Sequence, residues 1–198
     1  MPPARRRRKP ATGINRRARS ERWWPALVVV VVLLLGVAWA ARGEEPAPGP
    51  PGFPCAVVGT QIRLTPSQAG NVEAIAAVAR DRDLHARAIV IALATAQQES
   101  RLRNLDYGDR DSLGLFQQRP SQGWGSEAQV QDPVYATGKF YDGLVQVPDW
   151  ETGRLTEVAQ SVQRSGFPEA YQQWEPMAQA WTTAILSGRD GYVSCTPE

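Results

Sequence analysis

Between Arg22 and Arg42 the chain runs 19 residues without a charge, and the heart of that stretch is Leu27-Val28-Val29-Val30-Val31-Val32-Leu33-Leu34-Leu35. At about 1.5 Å of rise per residue, a helix of this length just spans a hydrocarbon core of roughly 30 Å. Such a run does not belong to an ordinary domain surface, so only part of the 198 residues remains to build a globular body. Ahead of it, residues 1–25 carry nine Lys or Arg (Arg5, Arg6, Arg7, Arg8, Lys9, Arg16, Arg17, Arg19, Arg22) against one acid, Glu21. The overall formal charge is +2, so residues 26–198 sum to about −6: a basic tail precedes a mildly acidic body.

Cations ahead of an apolar span stay in the cytoplasm and send the following chain outward, and Trp23 and Trp24 sit where an aromatic belt would anchor it. The expected segmentation is a basic cytoplasmic tail at 1–25, a transmembrane anchor or signal segment at 26–41, a Pro/Gly-rich linker at 42–54 and a folded domain at 55–198. The corresponding location is the cell membrane, single-pass, with the domain outside. Ala38-Trp39-Ala40 has the small-x-small form of a signal-peptidase site, and cleavage there would instead release a secreted protein. Topogenesis explains the arginines, so no nucleic-acid partner is expected.

Cysteine usage agrees with export. Cys55 and Cys195 are the two cysteines, one at each end of the body. An oxidising exterior would let them pair; two free thiols are the alternative.

The body reads as helices, and the fold class expected is all-α. Thr65-Pro66 opens a helix to about Arg80. A second runs from about His85 to Ser100, and its middle, Ala88-Ile89-Val90-Ile91-Ala92-Leu93-Ala94, is apolar on every side, as befits the buried centre of a domain. Asp132-Pro133 opens a third to about Val145, Thr156–Arg164 gives a fourth, and Pro168–Leu186 a long fifth with Tyr171, Trp174, Met177, Ala178 and Trp181 on one stripe. Asp106 to Trp124 has no helical period and reads as a long glycine-bearing loop, a type of segment that often carries function.

Elimination narrows the chemistry. With His85 the single histidine, read as a surface residue, neither a two-histidine zinc site nor a metalloprotease pattern exists. There is no Gly-x-Ser-x-Gly elbow and no phosphate-cradling Gly-Lys-Ser/Thr loop, and the cysteines read as structural. No metal and no cofactor is expected, and carboxylates remain for acid–base work. Glu99 is one such carboxylate. It lies in the last turn of the apolar helix, where the negative end of the dipole and partial desolvation both favour a protonated carboxyl. A general acid for a glycosidic oxygen needs that state. On position alone, however, an exposed glutamate at a frayed helix end is the favoured reading.

Gln97-Gln98-Glu99-Ser100, followed by Gly114-Leu115-Phe116-Gln117-Gln118-Arg119-Pro120, resembles the soluble lytic transglycosylases and their goose-type lysozyme relatives. In that family the helix-terminal glutamate precedes a serine and a Gly-Leu-Met-Gln-x-x-Pro segment runs alongside; here Phe116 replaces the methionine. The resemblance covers roughly 85–145 and implies a lysozyme-like domain that acts on peptidoglycan glycan strands. It departs at Asp109, where the family often has serine, and at Ala159-Gln160-Ser161-Val162-Gln163, which stands where the family has a groove-lining Tyr-Asn-Ala-Gly segment.

The resemblance implies that Glu99 protonates the bridging oxygen between N-acetylmuramic acid and N-acetylglucosamine, then takes a proton from the C6 hydroxyl as a 1,6-anhydro ring closes. It implies substrate-binding roles for Ser100, Gln117 and Gly114, with Gln117 binding acetamido groups or orienting the acid; Asp109, at the departing position, and Trp124 are further substrate-binding candidates read from the residues themselves. Asp106, Asp109 and Asp111 remain open between a water-activating second carboxylate, a calcium site and simple loop solvation. Trp124, between Gly123 and Gly125, either stacks on a sugar ring or packs in the core. A non-catalytic wall-binding or scaffold protein and a hydrolytic lysozyme are the rival readings.

Overall fold

One helix has no polar side, and the others are arranged around it. The computed structural model of the protein describes residues 55–57, 62–187 and 193–195, all within the second of two units, Met1–Glu45 and Pro46–Glu198. Helix α1 is Pro66–Asp81, α2 Ala86–Ser100, α3 Glu127–Val130, α4 Pro133–Leu144, α5 Leu155–Gln163 and α6 Glu175–Leu186. Every residue of α2 from Ala88 to Ala96 is buried. It packs most extensively on α6 and also on α1, α4 and α5, while α1 crosses α4. Tyr141 and Trp181 are fully buried or nearly so in the same core, and Phe116 stacks on Phe140 with ring centroids 4.8 Å apart.

The helix starts follow local chemistry. Thr65 Oγ1 accepts from Gln68 N at 3.2 Å while the Gln68 side chain accepts from Thr65 N at 2.9 Å, a reciprocal cap ahead of Pro66. His85, exposed as expected, caps α2 by accepting from Arg87 N, and Asp132 caps α4 by accepting from Val134 N. The expected fifth helix, Pro168–Leu186, is broken. A 3-10 turn at Gln172–Trp174 precedes α6, because Pro176 has no N–H to continue a helical ladder from residues before it. The break places Tyr171 ahead of α6 and turns its hydroxyl toward α2.

The all-α expectation needs correction. Three short strands, β1 (Cys55–Val57), β2 (Arg63–Leu64) and β3 (Val193–Cys195), form an antiparallel sheet in the order β2-β1-β3. Strands of two or three residues are too short to show alternation, so the period-based reading passes over them. The transmembrane helix in the expected fold class is likewise not found: among the described residues no helix is long and apolar enough to cross a membrane. The segments 1–25, 26–41 and 42–54 lie outside the described residues.

Cys55 and Cys195 form a disulfide, at positions that are also paired in the β1–β3 register. It closes a loop with a sequence separation of 140, which ties the two ends of the domain together. The Cys55→Ser/Cys195→Ser variant should lose about 5 kcal/mol of unfolding free energy on chain-entropy grounds. Urea denaturation of oxidised protein, reduced protein and the variant checks this; three coincident curves would contradict it.

Candidate active site

Helix α2 ends in a turn that is locally strained and firmly held. Arg101 and Leu102, both non-glycine, have left-handed φ of 55° and 60°. Two side chains of α1 hold the turn: Gln68 Nε2 donates to Arg101 O and Asn71 Nδ2 to Leu102 O, each at 2.8 Å. Leu102 itself is fully buried. The end of α2, and with it Glu99, is therefore a fixed feature of the fold rather than a fraying terminus.

Opposite that end stands a short hairpin. Leu113 and Gln118 exchange backbone hydrogen bonds at 3.0 Å, so Gly114-Leu115-Phe116-Gln117 is its four-residue loop. Gly114 has φ +76°, and a Cβ there would lie 2.0 Å from Val130 O, which leaves no room for any other residue. Leu115 and Phe116 enter the core. Two ties bind the loop to its surroundings: the buried Ser100 hydroxyl donates to Leu115 O at 2.7 Å, and Gln163 Nε2 at the end of α5 donates to Phe116 O at 2.8 Å. Ser100 is thus structural glue, not a group open to a ligand.

The resulting cleft holds about 480 Å³ and is lined by Glu99, Asp109, Gln117, Trp124, Gln163 and the Arg164–Phe167 turn, among others. Glu99 is half-buried within it. Desolvation raises its carboxyl above the ordinary value; the Tyr171 hydroxyl, donating to Oε1 at 2.6 Å, and then the Gln163 amide oppose that shift by favouring the charged form. Tyr171 is fully buried, and burial followed by the charge of Glu99 pushes its own hydroxyl upward, so it stays a donor.

The other expected site residues divide clearly. Gln117 lines the cleft at a left-handed φ of 50°, but its amide donates to Tyr107 O and Gly114 O, both at 3.3 Å, so it braces the loop. Asp109 lines the cleft and is exposed. Trp124 is half-buried at the boundary between this cleft and a neighbouring hollow. Gly114 acts through its backbone alone. Of the remaining aspartates, Asp111 is held well below the usual carboxylate range by Ser121, through the serine side chain and its N–H at 2.8 Å, and then by Arg119 Nε, which donates to it at 2.7 Å. It is a loop staple. Asp106 is exposed and does not line the cleft. Among the described residues no group of three or more His, Cys, Asp or Glu is placed to hold a metal ion.

Two residues that touch or face the carboxyl, Tyr171 and Gln163, were not singled out as site residues by the sequence. Tyr171 lay on an apolar stripe and read as core. Gln163 stood in the segment that departs from the family pattern. Phe167, with 76% of its surface exposed at the cleft edge, had no periodic signal. Comparison with known protein families and with curated proteins finds no match.

A raised folded-state pKa means that ionising Glu99 costs folding free energy. That cost is absent below the unfolded carboxyl value of 4.5, grows as pH rises through the gap and persists above it. Glu99→Gln should therefore be no less stable than wild type at pH 7, with any advantage vanishing below pH 4.5, as measured by thermal unfolding at several pH values. Gly114→Ala should lose about 2–4 kcal/mol through its left-handed backbone and the clash with Val130 O. Chemical denaturation measures that loss; a wild-type midpoint would refute the hairpin geometry.

Proposed function

We propose that the domain cleaves peptidoglycan glycan strands with Glu99 as its single essential acid–base group, acting as a lytic transglycosylase outside the cytoplasm. The observation that carries the reading is the position of Glu99: a carboxyl whose pKa burial raises, hydrogen-bonded by Tyr171, in a cleft that Gln117 of the hairpin loop also lines. A general acid needs that combination of access and elevated pKa. The resemblance of Glu99-Ser100 and Gly114-Leu115-Phe116-Gln117 to soluble lytic transglycosylases points to the same chemistry. The disulfide suits an oxidising compartment, where the wall polymer lies.

In this mechanism the protonated Glu99 donates to the oxygen between N-acetylmuramic acid and N-acetylglucosamine as the bond from the muramyl C1 to that oxygen breaks. The resulting carboxylate accepts the proton of the muramyl C6 hydroxyl while O6 bonds to C1. The product is a 1,6-anhydro end, and Glu99 is again protonated, so no water and no second carboxylate is consumed. The Tyr171 hydrogen bond strengthens when Glu99 is charged, which stabilises the intermediate half of the cycle. The exposed Phe167 and half-buried Trp124 offer apolar faces to sugar rings at the cleft edge.

One observation keeps a hydrolytic variant in play: Asp109 lines the same cleft, exposed and able to activate a water. Digestion of purified sacculi with the full chain, read by mass spectrometry, distinguishes the outcomes. Anhydro-muropeptides are expected; reducing ends would indicate hydrolysis, and no release would indicate a binding protein. Glu99→Gln should lower the rate by about 10²–10⁴-fold, and retention of activity would overturn the site.

A further inference from the structure

Helix α2 presents a second pocket on the side away from Glu99. Gln97 lines it, and two residues along a helix place side chains about 200° apart, so the pocket and the cleft flank one helix end. It holds about 500 Å³ and shares no lining residue with the cleft. Its cations come from three points in the chain: Arg63 on β2, Arg101 at the end of α2 and Arg103 just beyond. Among the described residues no acid lines the pocket, and none of the three arginines takes part in an ion pair.

Arg80, Arg82, Arg87, Arg119 and Arg154 each pair with a carboxylate; Arg110 and Arg164 do not, but they line the cleft beside Glu99 and Asp109, so a lining of three arginines with no acid among the described residues distinguishes this pocket from the cleft. The favourable end of the helix dipole accounts for Arg101 and Arg103, but not for Arg63 on a separate strand. The backbone that carries Arg101 is held in its strained turn by Gln68 and Asn71, and Arg103 Nε donates to Ser100 O at 3.3 Å, so these two cations are presented from a rigid base. The rest of the described lining is apolar or neutral: Ile62, Leu64, Met177 and Trp181, with Thr65, Gln68 and Gln97. Trp181 is 1% exposed, and its indole N–H is buried without a partner.

We propose that this pocket binds a short acidic peptide through its carboxylates. Guanidinium groups match planar carboxylates with paired hydrogen bonds, and three of them at separate points suit a ligand with more than one carboxylate. The apolar lining from Leu64, Met177 and Trp181 suits small aliphatic side chains between those charges, which a polyol phosphate polymer lacks. The pocket volume falls in the range of small-ligand sites. The proposal stands independently of the reading of Glu99, because neither its residues nor its chemistry involve the cleft.

Isothermal titration of the full chain with the tripeptide Ala-Glu-Ala, free at its C-terminus, tests it. Saturable binding with a dissociation constant of about 1 mM or tighter is expected, weakening with salt as exposed ion pairs do. The C-amidated Ala-Gln-Ala analogue should bind at least tenfold more weakly. Arg63→Gln and Arg103→Gln should each reduce affinity severalfold, and together at least tenfold, with thermal unfolding unchanged to show that the fold is intact. Absence of binding by wild type, equal binding of the amidated peptide, equal binding by the double variant, or tighter binding of a glycerol-phosphate oligomer than of the peptide would each overturn the proposal.

Discussion

The removal of α2 from water is the constraint from which the rest of the domain follows. A helix that is apolar all round can be satisfied only by neighbours on every side, and α1, α4, α5 and α6 supply them. Its last turn cannot stay in that apolar sleeve, because the final carbonyls and the side chains of Gln97, Gln98 and Glu99 need polar partners. The chain resolves this by closing the helix abruptly through two left-handed residues and surrounding its end with hydrogen bonds: Gln68 and Asn71 on one side, Ser100 to Leu115 on another, and Trp174 Nε1 to Gln98 Oε1 at 2.8 Å on a third. A carboxyl placed at such a boundary is desolvated by the core yet open to a cleft. Its elevated pKa is a consequence of where the core stops.

The loop opposite Glu99 obeys the same economy. Gly114 fits where a side chain cannot, Leu115 and Phe116 anchor the loop from within, and its carbonyls are taken by Ser100 and Gln163. Gln117 turns its amide inward to Tyr107 and Gly114, so the motif that looks from its composition like a ligand-binding segment is largely self-satisfied. Rigidity of this kind suits acid–base chemistry, where the proton donor must hold its position relative to the bond it cleaves.

The core and the helical elements were legible because they rest on short-range rules. Thr65-Pro66 and Asp132-Pro133 mark starts by capping chemistry, and both starts stand where expected. The run Ala88–Ala94 announces its own burial. The three-stranded sheet was not legible, since strands of two or three residues show no alternation and the β1–β3 pairing joins segments that are distant in sequence. Nor was the interruption at Gln172–Trp174, where the aromatic stripe continues in sequence although Pro176 forbids one continuous ladder. Of the site, Glu99 could be singled out through the resemblance of Glu99-Ser100 and the Gly114–Gln117 segment to soluble lytic transglycosylases, since its position at the end of an apolar helix by itself favours an exposed glutamate. Tyr171 could not, because an aromatic residue on an apolar stripe looks the same whether its hydroxyl is idle or bound to a carboxylate.

By itself the sequence determined the main helical segments, though not the short α3 or the break ahead of α6, which helix must lie at the centre, and that carboxylates rather than histidine or thiolate chemistry are available to it. These depend on residue type and on spacing within a turn or two. Only the tertiary structure decided what Glu99 meets, that Gln117 faces inward, and that Arg63, Arg101 and Arg103 gather around one pocket. Those outcomes join residues separated by tens of positions, and contacts at that separation follow from how helices pack, not from local propensity.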